Sequence, residues 1–225
     1  MKKIIVAIDG FSGTGKSSTA KEVARQLGYI YVDSGAMYRA VTYYLQHHKV
    51  EISNHKAVTD QLGHIQLQFK KVDGQNVLFM NGESMDTKLR TMEVNQLVSE
   101  VSTLVSVRRE LVKQQQKIGE ERGIVMDGRD IGTVVFPDAE LKVFMTASLD
   151  VRGERRKLEL LERNIDIPLE EVMSNLRNRD KIDSERAEGP LKKASNALEI
   201  DTSDLTFEEQ VSKIVDLAKQ HINAG

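Results

Sequence analysis

Ile4-Ile5-Val6-Ala7-Ile8-Asp9-Gly10-Phe11-Ser12-Gly13-Thr14-Gly15-Lys16-Ser17 decides how the rest of the chain is read. Residues 4–8 are apolar and mostly β-branched, and read as a buried strand. Gly10 to Ser17 fits G-x-x-x-x-G-K-[ST] in full. Glycines at that spacing let the loop curl until successive backbone N–H groups point inward as an anion nest. Ser17 to Leu27 reads as a helix, with Ala20, Val23, Ala24 and Leu27 on one face and Gly28 as its stop. The nest therefore opens at a helix N-terminus, whose free N–H groups and dipole favour negative charge. Lys16 is placed to reach the outer phosphates, and the Ser17 hydroxyl to take a place around Mg²⁺. A glycine-rich turn with a solvated lysine is the alternative. The strand before and the helix after favour nucleoside triphosphate binding by Gly10, Phe11, Ser12, Gly13, Thr14, Gly15, Lys16, Ser17 and the adjoining Ser18.

Working outward, Tyr29–Val32 reads as a second strand and Met37–Leu45 as a helix, which opens a βα-alternating fold with a parallel sheet. The middle breaks that rhythm. Ile65-Gln66-Leu67-Gln68-Phe69 alternates, Asp73-Gly74 is a hairpin signal, Val77–Met80 follows, and Asn81-Gly82 is another turn. A small antiparallel unit is expected near 60–85, inserted at little cost because closure entropy grows slowly with loop length. Alternation then resumes. A helix is expected from Val101 to about Ile118, with Val101, Leu104, Val105, Arg108, Leu111 and Val112 spaced at three and four. Strands follow at Gly123–Met126 and Leu141–Met145, a charged helix at Asp150–Arg163, and another helix from Leu169 to about Asn178. A last strand, Ala197–Ile200, and an amphipathic helix, Phe207–Lys219, complete an α/β fold whose sheet has five parallel strands flanked by helices.

Composition bounds the chemistry. The 225 residues include no cysteine, which excludes a disulfide scaffold, a thiol nucleophile and cysteine-ligated metals. Lys and Arg number 32 against 34 Asp and Glu, a balance unsuited to coating nucleic acid. The five-residue apolar run at the start is too short for a secretory h-region, and no stretch approaches a membrane span. A cytoplasmic location, with no membrane and no nucleic-acid partner, is the expectation. At this length one domain with an insertion is also expected.

Three further stretches bear on chemistry. Asp33-Ser34-Gly35-Ala36-Met37-Tyr38-Arg39 follows the second strand, at the carboxyl end of the sheet where open α/β folds bind ligands. Ser34 offers a hydroxyl, Gly35 a close N–H, and Arg39 a fork for a phosphate. Ser34 as a helix cap with Arg39 solvated is the bland alternative. Asp127-Gly128-Arg129-Asp130 ends another strand. There Asp127 stands where a carboxylate would organise Mg²⁺ through its bound water, or else merely forms a turn. Of 14 arginines, seven (Arg152, Arg155, Arg156, Arg163, Arg177, Arg179 and Arg186) fall between 152 and 186. Interleaving with Glu154, Glu159 and Glu162 suits a solvated helix laced with i,i+4 pairs. Next to a phosphate loop it also suits a donor-rich element that closes over a reacting phosphoryl group and excludes water. The run from Arg179 to Arg186, with Asp180, Asp183 and Glu185, suits an acceptor carrying both a phosphate and a sugar.

Together these stretches closely resemble the bacterial cytidylate kinases, which phosphorylate CMP and dCMP. The resemblance rests on Asp33–Arg39, on Asp127–Thr133 with Val134–Pro137, and on Arg179–Arg186 before Gly189-Pro190-Leu191, and it covers essentially the whole length. It implies one P-loop kinase domain with a core at 1–59 and 86–225, a monophosphate-binding insertion at about 60–85 and a helical lid at about 150–165. ATP and Mg²⁺ are implied on the donor side, with Arg152 joining the loop. Ser34, Gly35, Tyr38, Arg39, Arg109, Arg129 and Asp130 are implied as ligands of the acceptor phosphate and base. Asp183 is implied for the pentose, and Arg179 and Arg186 for the phosphates. Lys16, Arg129, Arg155 and Arg156 are the implied catalytic set, Arg155 foremost among the lid arginines. Phe11 stands where the family usually carries proline, and little consequence is expected. Small-molecule nucleotides are the only partners implied, and a single kinase domain is expected to act as a monomer. Two rival readings remain at this point, a P-loop kinase for another small acceptor and a nucleotide-hydrolysing switch.

Overall fold

In the computed structural model, which describes residues 2–72, 75–89, 91–162 and 164–224, the elements alternate as β1 (Ile5–Gly10), α1 (Lys16–Leu27), β2 (Ile30–Asp33) and α2 (Ser34–His47). After α3 (His55–Leu62) come β3 (Leu67–Val72), β4 (Gln75–Met80) and β5 (Glu83–Ser84), then α4 (Met92–Val101) and α5 (Val105–Ile118). The chain continues through β6 (Ile124–Gly128), one π-helical turn (Ile131–Val135), β7 (Leu141–Thr146), α6 (Leu149–Leu161), α7 (Leu169–Glu185), β8 (Leu198–Asp201) and α8 (Phe207–Asn223). Five strands form one parallel sheet in the order β2–β6–β1–β7–β8. Residues Ile5–Asp9 of β1 lie in register with Ile124–Gly128 of β6. The carboxyl ends of β1, β2 and β6 therefore meet at one edge, with Gly10, Asp33 and Asp127 close to one another in the sheet.

β1 is buried on both faces, which is why it reads as a continuous apolar run. Its alternate residues serve two cores. Ile4, Val6 and Ile8 pack with Ala20, Val23 and Ala24 of α1 and with Val211, Ile214, Val215 and Ala218 of α8. Ile5 and Ala7 pack on the other face with residues of α2, α3, α4 and α5.

The inserted unit is an antiparallel three-stranded sheet, β3–β4–β5. Asn81 and Gly82 both have positive φ, 51° and 86°, as a two-residue hairpin turn between Met80 and Glu83 demands. The Asp73-Gly74 turn lies outside the described residues. Leu78, Met80 and Met85 are buried in the larger core, so the insertion is docked on α2 and β2 along one side.

Several boundaries differ from the sequence reading. The helix expected over 101–118 is two helices, because Leu104 is extended (φ −69°, ψ 119°) and the Ser102 and Thr103 hydroxyls bond back to Ser99 O and Glu100 O. Such local side-chain bonds end helices. α3 had no counterpart in that reading; Asn54 caps it by accepting from Ala57 N at 3.0 Å. α7 runs on to Glu185, so Arg179, Asp183 and Arg186 are one turn apart on or just beyond a helix.

Candidate active site

The loop between β1 and α1 is built around glycine. Gly10 has φ 147°, and a Cβ there would drive into the Met145 carbonyl of the neighbouring strand. Gly13 and Gly15 are left-handed, φ 81° and 87°, and Gly15 is the residue from which α1 starts without a side-chain cap. That helix end keeps its N–H groups for an anion. Lys16 is buried, and its Nζ donates to Phe11 O at 2.5 Å across the loop. Burial, followed by repulsion from Arg129, lowers its pKa to about 7.

Above the loop lies a cavity of about 310 Å³. Lys16, Ser17 and Ser18 form its floor with Ser12, Gly13 and Gly15; Ser34, Gly35, Tyr38 and Arg39 of α2 form one wall. Asp127, Gly128, Arg129 and Asp130 at the end of β6 form the back, and Arg156, Arg179, Asp183 and Arg186 close it from α6 and α7. Most of the site residues expected from the sequence are thus brought together from segments more than a hundred residues apart.

Each carboxylate in the wall has a definite partner. Asp127 is buried, accepting from Ser17 Oγ on Oδ2 and from Tyr31 Oη on Oδ1, both at 2.8 Å. Burial and the nearby Asp33 raise its pKa to about 6. Asp130 accepts from the Arg108 guanidinium and from Arg186 at 3.3 Å, yet burial keeps its pKa raised. Asp183 accepts from Arg129 Nε at 2.7 Å; burial pushes its pKa up, but Arg129 and Arg186 outweigh burial and hold it below the ordinary value. Asp9, at the end of β1, accepts from the backbone N–H groups of Ile131 (2.8 Å) and Gly132 (2.7 Å) and so pins the π-helical turn that presents Asp130. Burial raises the Asp9 pKa to about 7.

Two of the arginines that line the cavity keep a donor without a partner. Arg39 pairs with Asp33 at 2.8 Å, but its buried Nε has no hydrogen-bond partner among the described residues. Nor has the buried Nε of Arg179, whose pKa is lowered to about 10 by burial and then by its positive neighbours, Arg129 first.

The structure decides against one alternative, Ser34 as a helix cap, and corrects four expectations of placement. Asp33, not Ser34, caps α2, accepting from Ala36 N at 2.8 Å, while Ser34 Oγ donates to Asp127 O at 2.6 Å. Arg109 stands away from the cavity, its side chain 74 % exposed and paired with Glu188. Its neighbour Arg108 is the inward arginine, 2 % exposed, bonded to Asp130 and to Ser102 O, with its guanidinium 5.6 Å from the Tyr38 ring centre. The periodic apolar stripe on this helix already contained Arg108, which is the signal that separates the two. Arg155 does not reach the cavity: it donates to Thr14 O, Thr202 Oγ1 and Thr202 O, bracing the loop against the end of β8. Arg152 likewise braces the loop from behind, through Ser12 O, Ala147 O and Asp180. Arg156 alone of the three lines the cavity, paired with Glu159 at 2.7 Å. Arg163 lies outside the described residues. Phe11 is not idle, since its ring meets Phe144 edge-on and the Arg152 guanidinium at 5.3 Å.

Sequence reading also missed Asn95, Val98, Ser99 and Ser102, which line the cavity from α4 and the turn after it. These residues belong to no motif, so only the packing of α4 beside α2 reveals them.

A family model described as cytidylate kinase matches residues 6–220. The chain belongs to the cytidylate kinase family. Among curated relatives, a cytidylate kinase from Cytophaga hutchinsonii is 50 % identical over 97 % of this chain and 94 % of its own length. Others from Flavobacterium johnsoniae and Bacillus cereus are 48 % and 45 % identical, each covering 96 % of both chains. Among solved structures, an uncharacterized protein from Eubacterium ventriosum shares the fold at 14 % identity, with a TM-score of 0.50 and full coverage of both chains. Among the described residues no helix is long and apolar enough to cross a membrane.

Proposed function

We propose that the protein catalyses ATP + CMP = ADP + CDP, and the corresponding reaction of dCMP, by in-line transfer at this cavity. Membership of the family supports the reaction. The observation that carries the site assignment is that Arg39 and Arg179, each with a buried Nε that has no hydrogen-bond partner among the described residues, line the same cavity as the phosphate loop. Burial first, and then the positive charge of Arg129, lowers the Arg179 pKa, and an anion bound in the cavity would restore the charged form.

In the reaction an oxygen of the CMP phosphate attacks the γ-phosphorus of ATP. The bond from that phosphorus to the β–γ bridging oxygen breaks, and ADP leaves with the bridging oxygen. The attacking phosphate is already ionised near neutral pH, its second pKa being about 6, so no strong base is needed. Catalysis is then alignment and charge stabilisation. Lys16 turns from Phe11 O to the transferring group, Arg39 and Arg179 hold the acceptor phosphate, and Arg129 and Arg156 flank the gap between the two nucleotides. Asp183 receives the pentose hydroxyls. Asp130, with Arg108, Tyr38 and Ser34, faces the base.

Among the described residues no group of three or more His, Cys, Asp or Glu could hold a metal by itself. The donor set on offer is one hydroxyl, Ser17, beside one carboxylate, Asp127. That set fits Mg²⁺, which keeps most of its waters and takes further oxygens from phosphates. When bound, Mg²⁺ would neutralise charge on the β- and γ-phosphates, with Ser17 as direct ligand and Asp127 holding a bound water. α6 and the segment after it act as the lid, the β3–β5 unit as the monophosphate arm. ATP and CMP are charged and held inside cells, so the reaction belongs to the cytoplasm. Incubating the protein with ATP and each nucleoside monophosphate in turn tests the assignment. ADP should appear only with acceptor, and fastest with CMP or dCMP; ADP release independent of acceptor would overturn it.

A further inference from the structure

Tyr31 belongs to no motif, and its side chain emerges from β2, the edge strand of the parallel sheet. Its hydroxyl donates to Asp127 Oδ1 at 2.8 Å, while the Ser17 hydroxyl donates to Oδ2 of the same carboxylate, also at 2.8 Å. The two donors differ in what ligand binding does to them. The proposed ligation of Mg²⁺ by Ser17 uses a lone pair of that hydroxyl, which is then shared between the metal and Asp127 Oδ2. Tyr31 lies outside the cavity lining and keeps its bond. A carboxylate held at both oxygens retains its plane; held at Oδ2 alone, by a hydroxyl that also serves the metal, it is freer to turn about its own axis.

We infer that Tyr31 is a positioning residue: its phenol holds Asp127 by Oδ1, so that the carboxylate stays turned toward the metal's water while the Ser17 hydroxyl is shared with the metal. Partners of this kind orient groups around a metal, and they matter most when a group acts through water rather than by direct ligation. The inference rests on the reading of Asp127 as the metal-side carboxylate. It adds a hydrogen-bond donor that phenylalanine, equal in volume, would not supply.

The test is Tyr31→Phe, with ADP binding measured calorimetrically with Mg²⁺ and with chelator. The gain in ADP affinity given by Mg²⁺ should shrink by about three- to tenfold, at or below the low end of losses seen for partners of metal ligands. The Mg²⁺ concentration for half-maximal rate should rise by a similar factor, while CMP affinity and chelated ADP affinity hold. Equal weakening of ADP with and without Mg²⁺ would overturn the inference. Tyr31→Leu, lacking ring and hydroxyl, should lose no more of the Mg²⁺ response than Tyr31→Phe; a larger loss would assign the effect to packing and overturn it. In an Asp127→Asn background Tyr31→Phe should change nothing further, and an additive loss would refute the route through Asp127. If Asp127→Asn itself leaves the Mg²⁺ response intact, the reading of Asp127 fails. If Asp127→Asn shifts the response and Tyr31→Phe does not, only the role of Tyr31 fails.

Discussion

Replacing Arg108 by methionine would remove a buried cation while keeping most of the side-chain volume. Arg108 is 2 % exposed and bonds Asp130, itself buried, whose remaining partner is Arg186 at 3.3 Å. Breaking a buried pair costs about 3–5 kcal/mol, and the surviving Arg186 contact puts this case near about 3 kcal/mol. For a chain of this size each kcal/mol shifts the melting temperature by about 2–4 °C, so a fall of about 6–12 °C is expected by calorimetry. The loss should also depend on pH. Burial raises the Asp130 pKa already, and without Arg108 it should rise further. A carboxyl whose folded pKa exceeds its unfolded value binds more protons when folded, so stability falls as pH rises between those two values. The penalty of Arg108→Met should therefore be larger at about pH 8 than at about pH 5. Adding Asp130→Asn should recover part of the loss, with a coupling above about 1 kcal/mol. CMP affinity should collapse in the single variant while the affinity for an ATP analogue persists. A melting temperature unchanged within about 2 °C, or additivity in the double variant, would refute the description of this pair as a buried, interdependent unit.

Other outcomes follow from the same geometry. Arg109→Ala should alter CMP affinity by less than about twofold, because exposed ion pairs contribute about 0–1 kcal/mol; a tenfold loss in a direct titration would return Arg109 to the site. Arg39→Ala should weaken CMP binding at least about tenfold, as expected for a charged hydrogen-bond partner, and spare ATP; equal losses for both would sink its assignment to the acceptor. Lys16, with a pKa of about 7, is largely neutral in the free protein at about pH 8 and charged against a triphosphate. ATP binding at that pH should take up close to one proton more than in Lys16→Met, and almost none extra at about pH 6. Calorimetry in buffers of different ionisation heat reads this directly, and an uptake equal at both pH values would contradict it.

Legibility in the sequence followed how local each feature is. The strand–loop–helix at 4–27 could be read because periodicity, glycines and the lysine lie within one short segment, and the parallel sheet followed from the βα rhythm. The hidden break between α4 and α5 could not, since Ser102 and Thr103 bend the chain through bonds to residues three positions back. Choosing between Arg108 and Arg109 required the direction of one helical face, which the apolar spacing contained but which a resemblance between motifs did not use. The fate of Arg155 was beyond reach, because Thr202 lies 47 residues on and has no motif to announce it. Ser34 was legible as a polar group at a strand end. Its bond to the Asp127 carbonyl, which left capping to Asp33, needed β2 and β6 side by side.

The braces on the phosphate loop have a consequence for how the molecule comes into being. Gly10–Ser17 leaves the ribosome well before its partners, since Ser12 and Thr14 are held by Arg152, Arg155, Asp180 and Thr202. Chains are made N-terminus first, at about 5–20 residues per second. The loop thus waits some seconds, about 190 residues of synthesis, for the strand end that fixes its backbone. β1 itself lacks β6 and β7 on either side until Thr146 has been made, and before that its apolar residues have no sheet to enter. Nucleotide capture is thereby delayed until Thr202 has emerged, and a chain ended before that residue would carry the motif without the cradle.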